Sequence, residues 1–289
     1  MDENRTKVRL SPLHNVVFAC IFQDEKKAGT AMLEFLNAVL QHVGEEKIAE
    51  IISMRSEYPL LGERANQKYG RLDVRVKAES GRLFDIEVQI EKDYMNERGF
   101  FYGGRMGSDE FELGTAYDQM PEVRVINLLD FFVRDDHSNV VEPVVLSYAN
   151  NPGEIATKKF IMYHIQLPAF RKEYQTLESV KGDAFLTWLY ALDNGYKSKE
   201  EMEALSEMTD GLRNFATQYN YAIDDPELIR RYRFYEDGRR DVATRISVAT
   251  KKADRNAKIE IARNMKNKGF SAEMISDVTG IPASEIGAL

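Results

Sequence analysis

Between Gly70 and Ile90 the chain reads GRLDVRVKAESGRLFDIEVQI, two alternating segments around Glu79-Ser80-Gly81. A three-residue loop ending in glycine suits a type I turn closed by a bulge, with Gly81 at the left-handed position. That loop pairs Ala78 with Arg82 and aligns Leu72 with Val88, Val74 with Ile86 and Val76 with Phe84, all on one face. A loop one residue shorter would set Asp73 against Val88 and destroy this segregation. The other face gathers Asp73, Arg75 and Lys77 from one strand and Asp85, Glu87 and Gln89 from the next. Arg75 then faces Asp85, an ordinary ion pair, whereas Asp73 faces Glu87, and like charges directly opposite repel. A cation between them removes that cost. Mg²⁺ suits the donors, being a hard ion often held by one or two carboxylates with waters and substrate phosphate. The alternative is a solvated polar face from which both carboxylates point apart into water.

Several elements must position this hairpin. Apolar residues from Val16 to Leu40 recur at helical spacing over Asn15–Gln41, with a break between Gln23 and Gly29 and Asn15 as a candidate cap. Strand signals lie at 49–55, 72–77 and 83–90, then at 123–132, 144–148 and 159–167. Residues 94–118 read as helix, weakened by five glycines. After Pro168 helix signals dominate, and Cys20, Trp188 and the tyrosines Tyr94, Tyr102 and Tyr117 read as core. The order predicts an α/β core with a helical C-terminal region.

Charge and composition narrow the function. Of 289 residues, 47 are acidic and 39 basic, a net charge of −8, so the chain is not built wholly for non-specific phosphate binding. From Leu228 to Lys268, however, thirteen Lys/Arg accompany five Asp/Glu. Ile246, Ala249, Ala253, Ala257, Ile261 and Met265 form a narrow seam along that basic helix, which suits phosphate contact, a partner helix or plain solvation. Ser271 caps a short helix over 272–279, Gly280 breaks it and Ser284 starts another turn. One cysteine excludes an internal disulfide framework and CxxC zinc sites. With no apolar signal core and no run near ~18 apolar residues, the expectation is a cytoplasmic protein without a membrane partner. No GxGxxG or nucleophile motif points to a small-molecule cofactor.

Asp73 followed by Glu87-Val88-Gln89 resembles the D…(D/E)xK signature of the restriction-endonuclease-like superfamily. The terminal glutamine, followed by a helix bearing Arg98 and Tyr102, resembles the Rpn branch, the recombination-promoting nuclease and transposase family. Phe18-Ala19-Cys20-Ile21-Phe22 and Phe35-Leu36-Asn37-Ala38-Val39-Leu40 are similar to that family's opening FKxIF and FLNAIL helices, and Gly114-Thr115-Ala116-Tyr117 to its GxxY. The segment from Gly269-Phe270-Ser271 to Glu285-Ile286 is similar to its short C-terminal module.

The resemblance implies a restriction-endonuclease-like α/β core, a mixed central sheet flanked by helices, over residues 11–168. A helical region with the basic amphipathic helix follows over 169–268, and a small helical module over 269–289. It implies a DNA endonuclease dependent on Mg²⁺, or on another divalent cation such as Mn²⁺, linked to DNA recombination or mobile-element activity. Asp73, Glu87 and the Val88 backbone carbonyl are its implied metal ligands, and Gln89 the residue that orients the water. Glu34 and Asp24 are candidates for a further acidic ligand. Arg98, Arg105 and Lys92 are candidates for phosphate contact, or for a solvated face with Glu97 and Asp109 interleaved. The partner is DNA, and cutting two strands with one site per chain favours a homodimer. Asn15 and Ala19 stand where the family often has an acidic residue and a lysine. The competing expectation is therefore a catalytically impaired DNA-binding or protein-interaction module on the same fold.

Overall fold

The computed structural model describes residues 9–56, 74–92, 94–134 and 139–289. The N-terminal periodic segment is two helices, α1 (Asn15–Ile21) and α2 (Glu25–His42). Asp24 makes the break: its side chain accepts from the Lys26 N–H at 3.0 Å and caps α2. The cap of α1 is His14, whose Nδ1 accepts from the Val16 N–H at 3.3 Å. The expected cap, Asn15, instead begins the helix and is buried.

Six strands form one mixed sheet: β1 (Ile51–Ser56), β2 (Val74–Ala78), β3 (Leu83–Gln89), β4 (Val123–Leu129), β5 (Val141–Tyr148) and β6 (Asn151–Gln166). Their order is β1-β2-β3-β4-β6-β5, with β4 parallel to both its neighbours and the other pairs antiparallel. This is the mixed central sheet of the expected restriction-endonuclease-like core. Parallel neighbours need a crossover, which helix α3 (Met95–Asp109) supplies between β3 and β4. Strand β4 is buried at all seven positions, so VRVINLL runs apolar rather than alternating. Strands β5 and β6 exceed their sequence signals. Residues before Phe160 of β6 pair only with β5, leaving an exposed ribbon without the alternation a buried face imposes.

Helix α3 shows why its glycines do not break it. Its buried stripe is Met95, Gly99, Gly103, Met106 and Gly107. A Cβ on Gly99 would lie 2.7 Å from Met162 Sδ, and one on Gly103 2.6 Å from the Phe160 ring. Glycine thus lets the helix lie close on β4 and β6, a packing gain that offsets its poor propensity. The helix stops at Asp109 rather than near 118, and Gly114, at φ +83°, turns the chain toward a 3₁₀ turn at Tyr117–Gln119.

Helices α4 (Leu167–Glu173), α5 (Leu177–Val180), α6 (Ala184–Asp193), α7 (Lys199–Ser206) and α8 (Asp210–Asp224) follow. They belong to the same compact unit as the sheet, which extends to Arg230. Trp188 is buried as expected, edge-on to Phe35 (5.9 Å) and Phe215 (5.8 Å) between α2, α6 and α8. Cys20 is half-buried rather than enclosed. Glu34 of α2 accepts from Trp188 Nε1 at 3.1 Å, from the Thr209 hydroxyl and from the Gly211 N–H at 3.0 Å.

A second unit comprises residues 231–289. It contains most of α9 (Pro226–Asn267), with α10 (Ala272–Thr279) and α11 (Ala283–Ile286). Ala262 packs there against Ile275, Ile281 and Ile286. Ser271 caps α10 and Gly280 ends it at φ +69°, both as expected. The seam residue Ile246 is 61% exposed. Among the described residues no helix is long and apolar enough to cross a membrane.

Candidate metal and phosphate site

The hairpin forms in the expected register. Val74 pairs with Ile86, Arg75 with Asp85 and Val76 with Phe84. The Ala78 N–H donates to the Arg82 carbonyl and the Gly81 N–H to the Ala78 carbonyl, both at 2.9 Å, with Gly81 at φ +81°. The pairs Leu72–Val88 and Asp73–Glu87 lie outside the described residues, because 72 and 73 do.

The polar face of β3 is covered rather than solvated. Asp85 is 0% and Glu87 1% exposed, values that carboxylates rarely reach without charged neighbours. Two arginines supply them. Arg75 Nε approaches Asp85 Oδ1 at 4.0 Å across the hairpin, and Arg98 Nη2 of α3 lies 3.5 Å from Glu87 Oε2. Arg98 also stands 5.7 Å over the Tyr102 ring. Gln89 ends β3, half-buried, and Val88 turns its side chain to the opposite, buried face.

Strand register extends this row across the sheet. Glu87 lies beside Asn127 of β4, Asn127 beside His164 of β6, and His164 beside Glu142 of β5. Asn127 Nδ2 is 3.0 Å from His164 Nδ1, and His164 Nε2 is 2.9 Å from Asn96 Oδ1 at the start of α3. Asn127 Oδ1 is buried and has no hydrogen-bond partner among the described residues. Sequence reading missed Asn127 and His164. The one available signal was an amide inside the apolar run VRVINLL.

Burial pushes the His164 pKa down to about 4, against a smaller upward pull from Glu142. The imidazole, enclosed by Asn96, Asn127 and Glu142, is therefore neutral at pH 7. In the unfolded chain it titrates near 6.5, so between about 4 and 6.5 the unfolded state binds more protons and stability rises with pH. The contribution is complete above about 6.5 and lost as pH falls toward 4. Urea unfolding at pH 7.5 and pH 5 should differ by about 2 kcal/mol from this group, a difference that shrinks in His164→Gln.

The remaining candidates separate. Arg105 lies two turns beyond Arg98 on the same flank of α3, exposed and 3.6 Å from Asp109. Lys92 is exposed in the connection from β3 to α3. Asp24 is occupied in capping α2, and Glu34 faces α6 and α8, so these two sequence candidates serve the helices rather than the β3 face. Tyr94 and Tyr117 are 76% and 87% exposed, not core, and Tyr102 is half-buried. A cavity of about 1380 Å³ opens elsewhere, near the beginnings of β3 and β4. Its two arginines are engaged by one carboxylate: Arg124 Nε donates to Glu45 at 2.7 Å and Arg82 lies 3.6 Å from the same group.

The donors on the β3 face are oxygens without sulfur or exposed imidazole, which fits a hard divalent cation. Among the described residues no three or more His, Cys, Asp or Glu side chains gather as a metal site. No curated protein and no solved structure matches the chain. The family model of the PD-(D/E)XK nuclease family transposases matches residues 12–249, and the chain belongs to that family.

Proposed function

We propose that this protein is a Mg²⁺-dependent endonuclease that hydrolyses phosphodiester bonds in DNA, in recombination or mobile-element activity. The family supports nuclease-type chemistry with DNA as substrate. The observation that carries the reading is Glu87, a carboxylate 1% exposed on a central strand with Arg98 3.5 Å away. Such burial costs stability, and a buried charged cluster is where function is expected to reside.

Asp73, Glu87 and the Val88 carbonyl would hold the cation, Mg²⁺ or Mn²⁺. When bound, it polarises the scissile phosphate and makes a water more acidic. Gln89 orients that water with its neutral amide. Arg98 neutralises charge developing on the phosphate, and Arg105 and Lys92 hold phosphates further along the strand. Asn127 Oδ1, beside Glu87 in register, adds a fixed buried acceptor. One observation favours the impaired-module reading: Arg98 already neutralises Glu87, as an arginine replacing a cation would.

Plasmid cleavage tests the proposal. With Mg²⁺ the purified protein should nick or linearise supercoiled DNA, EDTA should abolish this, and Asp73→Ala should reduce it by about 10²-fold or more. No cleavage with any divalent metal would favour the impaired module, and undiminished cleavage by Asp73→Ala would remove Asp73 from the site.

A further inference from the structure

We infer that the outer flank of α3 is a binding strip for an unpaired DNA strand; this rests on the hydrolytic reading and adds its substrate class. Tyr94, Arg98, the Phe101–Tyr102 pair and Arg105 recur at three- and four-residue intervals, so they form one stripe. At 1.5 Å per residue the stripe is about 16 Å long. Aromatic and basic positions alternate along it.

Two of the stripe's three aromatic rings are largely exposed, and Tyr102 is half-buried. Tyr94 is 76% and Phe101 60% exposed. Phe101 meets Tyr102 edge-on at 5.1 Å, and Tyr102 lies under the Arg98 guanidinium at 5.7 Å. Arg98 in turn lies 3.5 Å from Glu87. An unbroken series of contacts therefore runs from the buried carboxylate to an exposed phenyl ring. Exposed rings interleaved with arginines are what single strands use: bases stack on the rings and phosphates meet the cations. A duplex keeps its base faces inside its own stack and has none to offer such a strip.

Charge also orients the strand. Glu97, one turn before Phe101, repels phosphate from the outer edge of α3. The backbone is then directed along Arg98 and Arg105, with bases over Phe101. Arg105 exchanges its exposed pairing with Asp109 for a phosphate at small cost, since such surface pairs are weak.

The test is fluorescence anisotropy of the full chain in EDTA, where binding is read without cleavage. The probes are a labelled oligonucleotide of about 20 nucleotides, a length that covers one stacking site, and its duplex. The single strand should bind at least about tenfold more tightly than the duplex. Phe101→Ala should weaken single-strand binding roughly 5- to 150-fold, as expected for one lost base stack, with little change for the duplex, and Phe101→Trp should retain it. Equal affinity for both probes, or no effect of Phe101→Ala, would overturn the inference. So would a concentration-dependent dimer in sedimentation velocity that Phe101→Ala dissolves, because the strip would then belong to a second copy. Metal-dependent plasmid cleavage by the same preparation reports separately on hydrolysis, which distinguishes failure of the strip from failure of the nuclease reading.

Discussion

Glu87→Gln should abolish metal-dependent cleavage while leaving the protein as stable as before, or more so. Losing one anionic anchor of a divalent cation removes several kcal/mol of transition-state stabilisation. Taken as about 4 kcal/mol, that is roughly a 10³-fold fall in rate. Stability should move the other way or not at all. The glutamine keeps the shape of the side chain and removes a charge that is 1% exposed. Arg98 loses a partner, but 29% of its side chain is exposed and water can solvate it. The expected melting temperature is unchanged or a few degrees higher, since charges buried for function are held at the expense of stability. Nicking rate and thermal unfolding on the same preparation check both halves. A large fall in melting temperature would make Glu87 a structural residue, and undiminished cleavage would move the active site away from β3.

What the sequence disclosed depended on whether the physical signal was local. The hairpin register was legible because a glycine-closed loop fixes pairing and because one face is wholly apolar, so a slip of one residue has a visible cost. The break between α1 and α2 was legible too, as a non-periodic interval, although Asp24 within it read as a candidate ligand rather than as the helix cap it forms. The polar row beyond Glu87 was not, because Asn127 and His164 meet only through the β4–β6 pairing, 37 residues apart in the chain. Glu34 misled for the same reason: the helix start it serves, at Gly211, is 177 residues away. A carboxylate on an early helix cannot be assigned to a metal or a cap from one strand of text. Tyr94 misled differently, because helical spacing identifies a stripe but not which side of it meets the core, and Tyr117 because the helix ends at Asp109, before reaching it.

The glycines of α3 are the case where a local rule has two opposite consequences, and adjacent substitutions separate them. Gly103→Ala should destabilise the protein and slow cleavage, whereas Gly104→Ala should stabilise it. Both replacements gain helix propensity, up to about 1 kcal/mol. At Gly104 the new methyl meets nothing within 4 Å, so the gain is kept. At Gly103 it would lie 2.6 Å from the Phe160 ring and 2.7 Å from a methyl of the fully buried Val125. Overpacking of that kind costs about 1–3 kcal/mol, which outweighs the propensity gain. The strain is relieved if α3 lifts from β4 and β6, and α3 carries Arg98. A displacement near 1 Å there would carry the guanidinium away from Glu87 and cost about 10²-fold in rate. Urea unfolding of the two variants should therefore give shifts of opposite sign, with cleavage impaired only in Gly103→Ala. Equal stabilisation by both would mean that α3 does not lie closely on the sheet, and the positioning of Arg98 over the β3 carboxylates would lose its basis.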